Sequence, residues 1–468
     1  MTRSAPTAAT RLATRARVLA MLLLPACTLI IDPEVGAGLG TPCAYDEQCQ
    51  GAICIEGICA VRCGDSNGCP GGTECADNAC QLPLFAGFVY ASDVDQFDFV
   101  RAFDDSRMET EDVAELAYVH TTAVSPYPLA SDAADEARKL IALGHQIVVG
   151  TTRSHAEAFA AVAGEHTETT VLAFQSPLNQ GNLISFDARM YQAYYLAGVV
   201  AGRTTITNRV GFVASTSSPP TIASVNAFAL GVQQAAPTAL VEIRFLGEPH
   251  DTKPKVSGKS RERVFVEEMV QTNSCDVIAH NVDNNIPTFT VRDLRLEDPA
   301  LEIWAIGQNV ADACVAFSML PASATEADKA AVAGRCRATT FYQWAPMFAR
   351  VFDDVHRDRE IQSPILEKIG PSNSGSVVGF STDPSIVGQA TASLIDDLRA
   401  DLAGDEGVGR IFTGPIESTG GCTTSPCIEA GVTLDDAGLA SMCWLVLGVV
   451  GADSAPLLVP AEGDCLVE

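Results

Sequence analysis

The residues of this chain with the most evident chemistry are its thiols. Sixteen cysteines occur, and eight of them (Cys43, Cys49, Cys54, Cys59, Cys63, Cys69, Cys75 and Cys80) crowd into one short stretch. Such a cluster either binds zinc or cross-links itself. Most gaps are four or five residues, no Cys-x-x-Cys pair is present and no His lies among them, so the pattern predicts four disulfides and no metal. The stretch holds few large apolar residues. Cross-links, each worth about 2–4 kcal/mol, therefore have to replace a core. Connectivity stays open at this level. Further along, closeness in sequence suggests Cys314 with Cys336, Cys422 with Cys427 and Cys443 with Cys465, leaving Cys275 unpaired. Catalytic constellations are missing: there is no Gly-x-Ser-x-Gly elbow, no Walker loop and no His-Glu-x-x-His. Asp93, Asp95 and Asp98 have a calcium-like spacing, but the glycine and terminal glutamate of a calcium loop are absent. The expected chemistry is binding, without enzyme activity and without a cofactor.

At the amino terminus, residues 1–26 have the order of an export signal. Arg3, Arg11, Arg15 and Arg17 precede the apolar run Val18 to Leu24, which is too short for a permanent membrane span. Leu24-Pro25-Ala26-Cys27 resembles the lipobox of bacterial lipoproteins, which implies cleavage before Cys27 and diacylglycerol on its thiol. Diacylglycerol with a further acyl chain anchors stably, whereas one chain binds marginally. The chain is thus expected to be exported and held on a cell or outer membrane, periplasmic or surface-exposed. Thr28 follows Cys27, so the choice of membrane is open. Residues 27–42 read as a tether, 43–80 as the disulfide module, 84–455 as the main domain and 456–468 as a tail. With 58 acidic against 30 basic residues the formal charge is −28, which repels phosphate backbones and excludes nucleic acid as a partner.

From Leu84 onward short apolar runs alternate with helical periodicity. Strands are expected at 85–90, 115–119, 146–150, 170–174, 209–213, 241–245, 276–279 and 302–306, with helices at 133–142, 156–163, 189–203, 222–235 and 261–272 between them. Strand, helix, strand in regular succession means an α/β fold with parallel sheets covered on both faces, and eight or more strands split better into two lobes than one sheet. Ligands of open α/β sheets bind beyond the carboxyl ends of the strands.

Three stretches resemble the basic membrane protein family, PnrA-like solute-binding lipoproteins of ABC importers whose studied members bind purine nucleosides and related compounds. They are Tyr191 to Gly202 with the following Arg209 to Val213, then Val225-Asn226-Ala227-Phe228-Ala229-Leu230-Gly231, and finally Phe412 to Ile416 with Met442 to Gly451. Their order spans residues 85–452. The resemblance implies a type I periplasmic-binding fold of two doubly wound lobes, a hinge crossed more than once, a small-molecule ligand and an ABC permease as partner. The cysteine-rich segment likewise looks like short EGF- or Dickkopf-like modules, serving as a stalk or a partner-binding element.

The resemblance also points to ligand-binding positions. The first loop offers Asp93 as acceptor and Phe97 or Phe99 as a stacking face. His280-Asn281-Val282-Asp283 places an imidazole and a carboxylate at the interlobe cleft. Asn309 stands where nucleoside-binding relatives have a ribose-binding Asp, and Gln343 stands where they have Lys. Trp344 is expected to stack on the ligand. Because of these departures, the expected ligand is a nucleobase or nucleoside-like small molecule, with a free base or another small polar solute favoured over a nucleoside. A non-transport sensor or adhesin with the same fold is the alternative.

Overall fold

The computed structural model describes residues 43–451, apart from 50–51, 56–57, 65–68, 70–72, 77, 180, 254, 256, 373–374, 405–409, 421 and 423–424. Residues 1–42, expected to hold the export signal, Cys27 and the tether, and residues 452–468, expected to hold the tail and Cys465, lie outside the described residues. Two compact units are present, Met1–Ala60 and Val61–Glu468. The boundary falls inside the segment 43–80 that the cysteine spacing suggests as one module.

The described part of the first unit is an antiparallel hairpin, Ile53–Ile55 with Ile58–Ala60, in which Cys54 faces Cys59 across the ladder. Cys43–Cys54 and Cys49–Cys59 staple it. The second unit begins with the same device. Its hairpin Glu74–Ala76 with Ala79–Gln81 places Cys75 opposite Cys80, and Cys63–Cys75 and Cys69–Cys80 repeat the first-to-third, second-to-fourth pairing. The two hairpins are thus a tandem repeat of one stapled turn. The second is tied into the large domain: Glu74 meets His120 at 3.0 Å, and Ala76 joins the main apolar core.

Two sheets dominate the large unit. The first runs Ile365–Glu367, Leu183–Ala188, Thr170–Phe174, Ile147–Gly150, Leu84–Val89, Val119–Val124 in space, all parallel. The second runs Val378–Thr382, Cys336–Tyr342, Trp304–Asn309, Val277–His280, Arg209–Ala214, Leu240–Phe245, Val449–Val450, with only Val378–Thr382 antiparallel. Buried runs such as Ile147-Val148-Val149 and Val277-Ile278-Ala279 explain this geometry, since a strand covered on both faces has no polar side. In each sheet the second strand in sequence lies outside the first and the third on its other side. The topological switch point therefore falls beside Leu84–Val89 in one lobe and beside Arg209–Ala214 in the other. The chain passes from first sheet to second after Ala188, returns for Ile365–Glu367 and leaves again for Val378–Thr382.

Most expected strands are present, with instructive shifts. The one expected at 115–119 starts at Val119, because Ala114–Leu116 is a 3-10 turn whose Leu116 is buried as if in a strand. The one at 302–306 begins at Trp304 and runs on to Asn309. Leu183–Ala188, Cys336–Tyr342, Ile365–Glu367 and Val378–Thr382 are additions to the expected set. Their polar or short composition, as in Cys336-Arg337-Ala338-Thr339-Thr340, hides them from an apolar-run criterion. Gly198 and Gly202 on the helix Met190–Thr204 do serve close packing. A Cβ on Gly198 would overlap the Phe228 carbonyl oxygen, and one on Gly231 would overlap that of Tyr195, so this helix and Pro219–Ala235 touch backbone to backbone. Cys314–Cys336 and Cys422–Cys427 are bonded, Cys275 is free and buried, and Cys443 is also in a disulfide.

Candidate functional site

Between the lobes, at the carboxyl ends of both sets of strands, lies a cavity of about 760 Å³. That volume is within the range of small-molecule sites. The first lobe contributes Phe99, Thr152, Arg153, Ser154, Phe174, Gln175 and Asp187; the second contributes Ser215 to Ser218, Asn281, Asp283, Gln308, Asn309 and Tyr342. These are the loops beyond the two switch points and the strands next to them.

The aromatic wall is layered. Tyr342 lines the cavity and stacks at 5.3 Å and 10° on Trp344, which stacks at 5.2 Å and 8° on Phe103. Trp344 is wholly buried and does not line the cavity; its backbone N–H donates to Ser106 Oγ at 2.9 Å. The ring expected to meet ligand therefore supports the one that faces the cavity. Phe99 stands edge-on to Tyr342 at 5.8 Å and 85°, completing an aromatic corner. Burial, and after it the charges of Asp187 and Asp283, push the Tyr342 phenol far above the usual range.

The other positions singled out from sequence divide. Asp283 lines the cavity, and its Oδ2 lies 3.4 Å from His250 Nδ1. Asn309 also lines it, but Nδ2 donates to the Val282 carbonyl at 3.0 Å and its backbone sits at φ 70°, so this side chain is engaged in holding its own loop. Phe97 is not among the lining residues. It stacks on His250 at 3.9 Å, joining the lobes beside the cavity mouth. Asp93 sits apart in a shallow acidic depression with Asp95 and accepts from Ser125 Oγ at 3.3 Å. His280 ends its strand rather than starting a loop and is buried, with Nε2 2.9 Å from Thr288 Oγ1. Burial lowers its pKa to about 3, keeping it a neutral structural group. Gln343 reaches Glu109 on the exterior.

Further bonds hold the lobes together on this side. The Phe99 N–H donates to the Asp283 carbonyl at 3.1 Å, Asp98 Oδ2 accepts from Asn285 N and Nδ2 at 3.1 and 3.0 Å, and Arg101 pairs with Asp312 at 2.6 Å. At the hinge, Arg189 donates to Asp436 through Nε and Nη2 at 3.0 and 2.7 Å and to the Leu366 carbonyl through Nη1.

Sequence reasoning missed Asp187, Gln308 and Tyr342. Asp187 is a carboxylate of the cavity wall whose protonation is strongly shifted. Burial raises its pKa to about 6, outweighing the Ala188 N–H, the Gln175 amide and the charges of Arg153 and Arg189, which all favour the anion. Asp187 and Tyr342 sit on strands whose composition conceals them. The signal that could have found them is position: each ends a strand of a parallel sheet.

Two doubly wound lobes around a hinge cleft define the type I periplasmic-binding fold. Over residues 86–317 the chain matches the family described as Bmp, ABC transporter substrate-binding protein PnrA-like. An ABC transporter glucose-binding protein of Haloferax volcanii is 26% identical over 48% of this chain and 53% of its own length. A purine-binding protein of Brucella abortus is 22% identical over 34% of this chain and 45% of its own. The chain thus spans about half the length of the curated relatives it matches. A crystal structure of a transcriptional activator of the comK gene from Bacillus halodurans shares the fold, with TM-score 0.53 at 14% identity, covering 69% of this chain and 98% of that one.

Proposed function

We propose that this protein is the exported, lipid-anchored solute receptor of an ABC importer, taking a purine base or nucleoside-like small molecule by closure of its two lobes. The observation that carries this reading is the interlobe cavity with Tyr342 and Phe99 forming an aromatic corner between Asp187 and Asp283. A flat ring gains area against such a corner while the carboxylates take its polar edges. Because both lobes contribute, a bound solute favours the closed form, which is the state a permease would read. The family match over residues 86–317 and the purine-binding relative support the ligand class. Export and anchoring rest on the signal-like residues 1–26 and on Cys27. Among the described residues no helix is long and apolar enough to cross a membrane.

Thermal unfolding of the protein against nucleobases, nucleosides and monosaccharides tests the reading. A ligand at a hundred times its Kd adds about 2.7 kcal/mol, a readily measured rise in midpoint. A shift confined to purines supports the proposal, and a shift confined to monosaccharides overturns its ligand class.

A further inference from the structure

The polar lining of the cavity is lopsided. Asp187 spends one oxygen on both hydrogen bonds it accepts, Oδ1 lying 3.2 Å from Gln175 Nε2 and 2.7 Å from Ala188 N. Among the described residues nothing donates to its second oxygen, although Asp187 lines the cavity. From the other lobe comes Gln308, only 5% exposed, whose Oε1 has no hydrogen-bond partner among the described residues. A buried amide oxygen left unpaired costs about 1–3 kcal/mol, so a donor that reaches it is favoured. The charged lining is three carboxylates, Asp187, Asp283 and Asp436, against two guanidinium groups. Of these, Arg189 is taken up by Asp436 and the Leu366 carbonyl. An anionic solute would meet a net negative wall.

Resting on the solute-binding reading above, we propose that Asp187 and Gln308 are the two jaws of a specificity clamp, one on each lobe. It selects an uncharged ring solute bearing N–H or O–H donors on opposite edges and rejects the phosphorylated counterpart. A donor to the Asp187 carboxylate makes a charge-assisted bond, stronger than a neutral one. A donor to Gln308 relieves its unpaired oxygen. Both bonds form together only when the lobes are closed, so the clamp also links recognition to closure.

The test is calorimetric titration of the full protein, Asp187→Asn and Gln308→Met with adenosine, adenosine monophosphate, glucose and glucose phosphate. One neutral probe is expected to bind, with its phosphorylated partner about 100-fold weaker. Asp187→Asn should weaken that probe by about 10- to 100-fold and Gln308→Met by about tenfold, with unliganded unfolding midpoints showing both variants folded. Adenosine binding that survives Asp187→Asn unchanged overturns the clamp and leaves the purine reading standing. Glucose binding that is lost in Asp187→Asn overturns the purine reading and leaves the clamp standing. A phosphorylated probe that binds as tightly as its parent overturns the clamp without needing any variant, and binding of none of the four overturns both.

Discussion

The two lobes share a strand order and differ in how their interiors are filled. Against the first sheet lies an aromatic cluster in which Phe88, Phe103, Phe174, Phe186 and Phe348 surround Trp344 and one another. The second lobe relies on two helices that approach backbone to backbone through Gly198, Gly202 and Gly231. The strand order shared around the two switch points puts the cavity in the same place relative to each sheet, while the packing decides which side chains reach it. Where bulky rings fill the interior, the cavity inherits aromatic faces. Where small residues do, it inherits short polar loops such as Ser215 to Ser218.

The largest effect should come from the aromatic side of this contrast. Trp344→Ala removes a wholly buried ring and is expected to cost about 3–5 kcal/mol in denaturant unfolding. Tyr342→Ala, one layer nearer the cavity, should spare much of that stability and lower solute affinity about tenfold. If the two substitutions were equally destabilising, the layering of support behind contact would be wrong.

Next comes the glycine contact. Gly231→Ala drives a methyl into the Tyr195 carbonyl and should cost about 3 kcal/mol, whereas Gly164→Ala, on an open helix face of the first lobe, should gain up to about 1 kcal/mol. Equal responses would remove the packing distinction.

The lobes should also answer pH with opposite signs. His280 has a folded pKa of about 3, below its ordinary 6.5, so the unfolded chain binds the extra proton between those values. Its contribution is complete above pH 6.5 and is lost as pH falls, by roughly 2 kcal/mol before other groups intervene. Asp187 has a folded pKa of about 6, above its ordinary 3.8, so the folded chain holds the extra proton. Its contribution is present below 3.8 and lost as pH rises through about 6. In unfolding midpoints followed across this range, His280→Asn should lessen the loss of stability toward acid, and Asp187→Asn should remove the opposing loss as pH rises from 3.8 to about 6.

The smallest expected effect lies where the lobes meet. His250→Ala removes the ring stacked on Phe97 and should shift the open–closed balance by about 1 kcal/mol, visible as a larger radius of gyration in solution scattering of the unliganded protein. A compact, unchanged envelope would mean that Asp98, Arg101 and the Phe99 N–H hold the lobes without it.

Much of the fold is legible in the order of residues alone. Continuous apolar runs such as Gln146 to Gly150 and Thr170 to Phe174 identify two-sided burial directly, because parallel strands tolerate no polar face. The glycines of the helix Met190–Thr204 declare close packing, since only a residue without Cβ admits another backbone. The cysteine density declares cross-linking, although the tandem first-to-third, second-to-fourth pairing and the division after Ala60 do not follow from it. The candidate site is less visible. Asp283, Phe99 and Asn309 do line the cavity, while Asp93, Phe97, His280 and Trp344 do not.

Those outcomes share a physical cause. Residue type and spacing determine which segments are covered and which are exposed, because burial repeats with the period of the element. They do not determine which way a side chain at the end of a strand turns, or which of two neighbouring rings stands in front. Tertiary structure decided that Trp344 lies behind Tyr342, that His280 turns into the core toward Thr288, and that Asp187 and Gln308 face a common space from opposite lobes. The placement of Trp344 and the facing of Asp187 and Gln308 depend on contacts between segments more than a hundred residues apart, and that of His280 on how the helix Ile286–Glu297 seats against its strand, none of which residue spacing alone encodes.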